Sequence, residues 1–105
     1  MIKIQSFTFN PSFYENTYIL YDDTKECIVV DPGCFFKEEQ KEIAEFIEKN
    51  SLKVVKLINT HCHIDHVLGN RFVKGTWNVS LLIPSGELSV LKAAEVYAPS
   101  YGFHL

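Results

Sequence analysis

No stretch of the sequence approaches the ~20 consecutive apolar residues that a bilayer-spanning helix needs, so no membrane role is expected. Met1 to Asn10 also lacks a basic start leading into an apolar run, which is the pattern of a secretory leader. Positive charge is not in excess. Ten Lys and Arg stand against 13 Asp and Glu, giving a net charge of −3 and a pI of about 5.7. That leaves no broad basic field for phosphate backbones or anionic lipid, so nucleic acid is not an expected partner. Cysteine is scarce and odd in number. Cys27, Cys34 and Cys62 show no C-x-x-C spacing and read as three reduced thiols in a cytoplasmic protein. Neither the H-E-x-x-H pattern nor a second ligand pair at zinc-finger spacing is present. Repeats, low-complexity tracts and linkers are missing too, so residues 1–105 are read as one small domain.

What is there has globular composition, with 47% apolar and 22% charged residues. Ile2 to Phe9 is rich in β-formers and reads as a strand ending at an Asn10-Pro11-Ser12 turn. Thr17 to Tyr21 and Glu26 to Val30 read as two more strands. The polar Asp22-Asp23-Thr24-Lys25 joins them, and Asp31-Pro32-Gly33 stops the second. From Glu38 to Asn50, Ile43, Ala44, Phe46 and Ile47 share one side of an amphipathic helix. Glu38, Glu39, Glu42 and Glu45 read as its solvated face. Lys53 to Ile58 is a short apolar strand that leads directly into a run of histidines. A strand at Val79 to Ile83 and a helix from Gly86 to Ala98 follow, the helix with Ser85 as its N-cap and Pro99 at its end. Strands come first in antiparallel style and then alternate with helices, which suggests a mixed sheet with helices on one face.

The run is Thr60-His61-Cys62-His63-Ile64-Asp65-His66, and it holds three of the four histidines. Burying three imidazoles and a carboxylate without partners would cost several kcal/mol, so a packing role does not explain them. In an extended chain residues two apart point the same way, so His61 and His63 can bind one metal ion together. Cys62 and Ile64 then point into packing. A turn after Ile64 brings Asp65 and His66 to a common side, where they can hold a second ion. Imidazole nitrogen with carboxylate oxygen suits zinc, and iron and manganese accept similar ligands. Gly69 fits a place where the backbone approaches the site closely.

Thr60 to His66 matches the T-H-x-H-x-D-H motif of the metallo-β-lactamase superfamily, which the chain therefore resembles. Asn16-Thr17-Tyr18 is similar to the start of an early strand in that family, and Val30-Asp31-Pro32-Gly33 to its strand-end Asp-x-Gly turn. Asp65 to Asn70 resembles the D-H-x-x-G-N continuation of glyoxalase II-like thioesterases, although Leu68 departs from the Gly-Gly pair common among them. The resemblance implies an α+β fold, the αββα sandwich of that family, of which this chain would be the N-terminal half. It implies two zinc ions in the complete domain, with His61 and His63 on the first and Asp65 and His66 on the second. A metal-bound hydroxide, oriented by Asp65, would attack an ester or thioester carbonyl of a small-molecule substrate. Asp31 either forms an Asx-type turn with Pro32 and Gly33 or holds the metal loop from behind. Asn16 reads as a turn residue, and Trp77 as packing.

Whole members of the family carry further ligands in a second half. His104, in Phe103-His104-Leu105, does not resemble them. Another chain or a C-terminal segment is therefore expected to complete the fold, and the 105-residue chain alone is expected to be inactive. Two alternatives remain open beside the hydrolase: an iron-dependent oxygenase of thiol or persulfide substrates on the same fold, and a non-catalytic fragment that binds metal or a partner. Fold does not decide among them, because function belongs to the site.

Overall fold

Alternation of buried and exposed residues builds the first part of the sheet. The computed structural model describes residues 2–9, 15–60, 62 and 64–101, with the main chain only at 64, 65, 97 and 101. Three antiparallel strands come first: β1 (Lys3–Phe9), β2 (Glu15–Tyr21) and β3 (Glu26–Val30). Every second residue faces inward, so Phe7 and Phe9 join Ile19, Cys27 and Val29 in one core. The β2–β3 turn closes as read from the sequence. The Asp22 carboxylate accepts the Thr24 N–H at 3.0 Å and the Thr24 hydroxyl at 2.5 Å. Those bonds hold Asp22 below the usual carboxylate range.

Helix α1 (Lys37–Lys49) then carries the chain to β4 (Lys53–Ile58), which pairs parallel with β3. A further parallel strand, β5 (Leu81–Leu82), completes a mixed five-stranded sheet in the order β1-β2-β3-β4-β5. Ile43 and Ile47 of α1 are buried on the inward face, and Phe46 meets the rings of Phe7 and Tyr21 edge-on at 5.7 Å. Helix α3 (Asn70–Trp77) adds Val73 to the same core. The expected mixed sheet with helices on one face is thus observed. A second cluster, Cys62, Val67, Leu68, Ala94 and Ala98, joins α2 (Ile64–Val67) to α4 (Leu88–Tyr97) and the following 3-10 turn. On the opposite face of the sheet, Leu20, Ile28 and Val55 line a shallow depression of about 220 Å³ together with Ile2, which is 68% exposed.

Several sequence readings need correction. The strand expected over Val79 to Ile83 shrinks to Leu81–Leu82, because only those two residues reach the β4 ladder. The last helix begins at Leu88 with Glu87, not Ser85, at its N-cap. Helices α2 and α3 were not foreseen, since Gly69, Asn70, Gly75 and Thr76 are weak helix formers and tertiary packing decides there. Asn16 is not a turn residue but lies in β2 opposite Thr8, whose hydroxyl donates to its side chain at 2.9 Å. Glu39 is not simply solvated. Its carboxylate turns back to accept the N–H groups of Phe35 and Phe36, both at 3.1 Å, and so caps α1. The expected Asn10-Pro11-Ser12 turn and His104 lie outside the described residues.

All three thiols are free and buried. Burial pushes Cys27 up to about 11, and burial together with the Glu39 and Glu15 carboxylates pushes Cys34 up to about 12. An acid whose pKa is raised by folding stabilises the fold below its unfolded value and loses that contribution as pH rises. Stability to urea should therefore decline as pH climbs above about 9 through these two thiols. Iodoacetamide at pH 8 should label them at least tenfold more slowly in the folded chain than in the unfolded one. Equal labelling rates, read by mass spectrometry, would contradict this burial.

Candidate metal centre

Because β3 and β4 are parallel, their carboxyl ends lie side by side, and antiparallel β2 begins at the same edge. Ligands of open sheets gather outside such strand ends. Here the edge is built around Asp31, the first residue after β3. Its N–H donates to the Ile58 carbonyl at 2.9 Å, which extends the parallel ladder by one bond. Its φ is +52°, the left-handed region that Asp tolerates better than most residues at a cost of about 1 kcal/mol. The turned backbone aims the carboxylate across the end of β4. There it accepts the Thr60 N–H at 2.7 Å and the Thr60 hydroxyl at 2.5 Å. Asp31 is 3% exposed whereas Thr60 is exposed, so these are part-buried charge-assisted bonds, each worth about 1.5 kcal/mol.

The same carboxylate faces the histidine run. Asp31 Oδ2 lies 3.3 Å from His66 Nδ1, and Glu15 Oε1 lies 3.7 Å from the same nitrogen. His66 stands in the one-turn helix α2, where the chain bends after β4. Glu15 is 2% exposed, and its other oxygen lies 2.9 Å from the Thr17 hydroxyl. Thr17 is fully buried and ties three segments together. It accepts the Gly33 N–H at 2.9 Å, and its oxygen is also 2.9 Å from the Asp31 carbonyl.

Two further contacts fix the loop. Asn59 and Asn70 exchange side-chain amide bonds of 3.0 and 2.8 Å, pinning the start of α3 to the end of β4. The Gly69 N–H donates to the Pro32 carbonyl at 2.7 Å, drawing the α2–α3 junction against the loop after β3. Cys62 is buried in the α4 cluster, and its N–H donates to the Glu87 carboxylate at 2.9 Å. Burial, then Glu87 and Asp31, raise the Cys62 pKa, so its sulfur behaves as packing.

Of the residues singled out in the sequence, the structure brings Asp31 and His66 together. His61 and His63 lie outside the described residues. Asp65 belongs to α2 by its main chain, and its side chain lies outside the description as well. The His66 geometry tests the fit of a metal. Metal-bound histidines generally set their second ring nitrogen against a carboxylate or carbonyl, which orients the ring. Here Nδ1 is set against carboxylates, so Nε2 lies on the far side of the ring. A His66 imidazole held this way suits zinc, iron or manganese, and among the described residues no cluster of three such donors stands together.

The family model of the metallo-beta-lactamase superfamily matches residues 11–102. The chain belongs to that superfamily. Among curated relatives, the hydroxyacylglutathione hydrolase of Buchnera aphidicola is 33% identical over 94 residues, covering 76% of this chain and 36% of that protein. The mitochondrial persulfide dioxygenase ETHE1 of Mus musculus is 36% identical over 62 residues, covering 58% of this chain and 23% of that protein. The chain spans about a third of the length of the hydroxyacylglutathione hydrolases it matches. The crystal structure of TTHA1623 in a di-iron-bound form superposes with a TM-score of 0.74 at 23% identity, covering 96% of this chain and 48% of that one. That likeness shows the superfamily fold, with the sheet and helices of this chain as an N-terminal portion of it.

Sequence reasoning missed Glu15, Thr17, Asn59 and Glu87. Glu15 had a visible signal, since it shares the inward parity of Thr17 and Ile19, and a carboxylate on an inward face is expensive without a purpose. Glu87 had none, because its partner lies 25 residues away.

The two helical-region glycines make a direct test of this packing. A Cβ on Gly69 would meet Cys34 Sγ at 2.5 Å and the Pro32 carbonyl oxygen at 2.9 Å, whereas one on Gly75 would meet nothing within 4 Å. Gly69→Ala should cost about 1–3 kcal/mol in urea unfolding. Gly75→Ala, inside α3, should gain about 0.5–1 kcal/mol. Equal effects of the two substitutions would contradict the close approach at Gly69.

Proposed function

We propose that this chain is part of a metal-dependent hydrolase acting on a small ester or thioester. The observation that carries the proposal is the Asp31 carboxylate, which holds Thr60 and faces His66 Nδ1 at 3.3 Å. His61 and His63 would hold one ion, with Asp65 and His66 on a second. When bound, zinc supplies Lewis acidity that lowers the pKa of water from 15.7 toward ~7, making a nucleophile at neutral pH. The side chains of this chain do the rest. Asp31 and Glu15 keep the His66 ring turned, so that Nε2 is the nitrogen offered to the metal. Asp65 would orient the attacking oxygen. The ladder bonds at Asp31 and Asn59 place the loop on rigid strand ends, where a small displacement would cost rate. Curated relatives named hydroxyacylglutathione hydrolase favour a thioester substrate.

A second reading keeps the ligands and changes the chemistry to an iron-dependent persulfide oxygenase. Relatives named persulfide dioxygenase favour it, as does the likeness to a structure in a di-iron-bound form. We further propose that another chain or a C-terminal segment covers the sheet face that carries Leu20, Ile28 and Val55, and that the 105-residue chain has no turnover without it.

Metal analysis of protein purified without added metal separates the two chemistries. Zinc together with hydrolysis of a hydroxyacylglutathione by the completed protein supports the first. Iron with oxygen consumption on a persulfide supports the second and overturns the first. Within the chain, His63→Ala should lower bound zinc per chain at least tenfold, whereas Cys62→Ala should leave it within twofold. Equal losses would make the thiol a ligand and contradict its assignment to packing.

A further inference from the structure

The loop that carries the motif is gripped from two sides, and only one grip involves the Asp-x-Gly turn. On the sheet side, Asp31 holds Thr60. On the helix side, Cys62 is held twice by the start and body of α4. Its side chain is fully buried among Val67, Leu68, Ala94 and Ala98, and its N–H donates to Glu87 Oε1 at 2.9 Å. Glu87 sits at the N-cap of α4, a position where a side chain usually bonds the helix's own first N–H groups. Its carboxylate makes no such bond and reaches 25 residues back along the chain instead. Its backbone is fixed independently: its N–H donates to the Pro84 carbonyl at 3.1 Å, and its carbonyl accepts the Leu91 N–H at 2.9 Å. A carboxylate on so fixed a backbone is an anchor for the peptide unit it touches.

That peptide unit lies between His61 and His63. We propose that Glu87 is a positioning residue for this pair, holding the Cys62 backbone between the two histidines that would share one ion. The inference rests on the ligand assignment made above. Among the described residues the Glu87 carboxylate meets the Cys62 N–H, and its proposed role is exerted through that backbone. Asp31 and Glu87 divide the work, one fixing where the loop leaves the sheet and the other fixing its middle. The hydrogen bond needs an acceptor oxygen and no charge, so Gln at this position should preserve it while Ala should abolish it.

Three measurements on the chain test this, two of them independent of any metal. Hydrogen exchange of the Cys62 amide should be slow in the wild type and in Glu87→Gln, and at least tenfold faster in Glu87→Ala. Alkylation of Cys62, read by peptide mass spectrometry, should accelerate in Glu87→Ala while Cys27 labelling stays unchanged. In competition with a chromophoric chelator, zinc affinity should fall about 10-fold or more in Glu87→Ala and stay within about threefold in Glu87→Gln. Unchanged amide exchange in Glu87→Ala would overturn the proposal, as would equal losses of zinc affinity in Gln and Ala, which would assign Glu87 a charge effect. If Glu87→Ala does not fold, Glu87→Gln and wild-type exchange still decide: a rapidly exchanging Cys62 amide in the wild type refutes the anchor. A completed protein that binds neither zinc nor iron while its Cys62 amide is protected by Glu87 would refute the ligand assignment and leave the anchor standing.

Discussion

A carboxylate at the end of β3 reaches across 29 residues of sequence to hold the first residue of the histidine run, and the rest of the site depends on that contact. The Asp31–Thr60 bonds join two parallel strand ends that would otherwise diverge into separate loops. Parallel pairing brings Val30 and Ile58 into register, and the Asp31 N–H continues the ladder to the Ile58 carbonyl. The left-handed turn at Asp31 then sends its side chain toward the motif instead of into solvent. A local backbone cost of about 1 kcal/mol is offset by two charge-assisted bonds to a buried carboxylate.

Other contacts brace this one. Thr17 holds the Asp31-Pro32-Gly33 turn from β2, and Gly69 draws the α2–α3 junction to the Pro32 carbonyl. The Asn59–Asn70 pair fixes the far end of the same loop. The site is therefore a set of backbone positions fastened by buried polar side chains from β2, β3, β4 and α3. Each of those side chains would be expensive to bury without its partner. Such networks fix one loop geometry.

Much of this was legible in the sequence. The strands at Glu26–Val30 and Lys53–Ile58 came out with the boundaries read from the sequence, because apolar runs bounded by Asp-Pro-Gly and polar turns leave little choice. The motif named His66, and the Asp-x-Gly turn named Asp31. The lines that stayed hidden depend on distance in the fold. Glu87 resembles an ordinary acidic residue in a helix's first turn until Cys62 is placed beside it. Asn70, read as the end of the D-H-x-x-G-N continuation, spends its side chain on Asn59. Helix α3 escaped notice because Gly75 and Thr76 disfavour a helix locally, while burial of Val73 and the Phe72–Trp77 contact at 5.5 Å settle it globally. Glu15 was missed because β2 was started two residues late, at Thr17.

The central claim is that Asp31 organises the loop for metal by hydrogen bonding to Thr60 and orienting His66. Amide hydrogen exchange at Thr60, measured beside zinc affinity in Asp31→Ala, tests it most directly. The account predicts that the Thr60 amide loses its protection and that zinc affinity falls about 10- to 100-fold in the same variant. A variant whose Thr60 amide is freed while zinc affinity is unchanged would contradict the account, because the loop would then be organised by something other than Asp31.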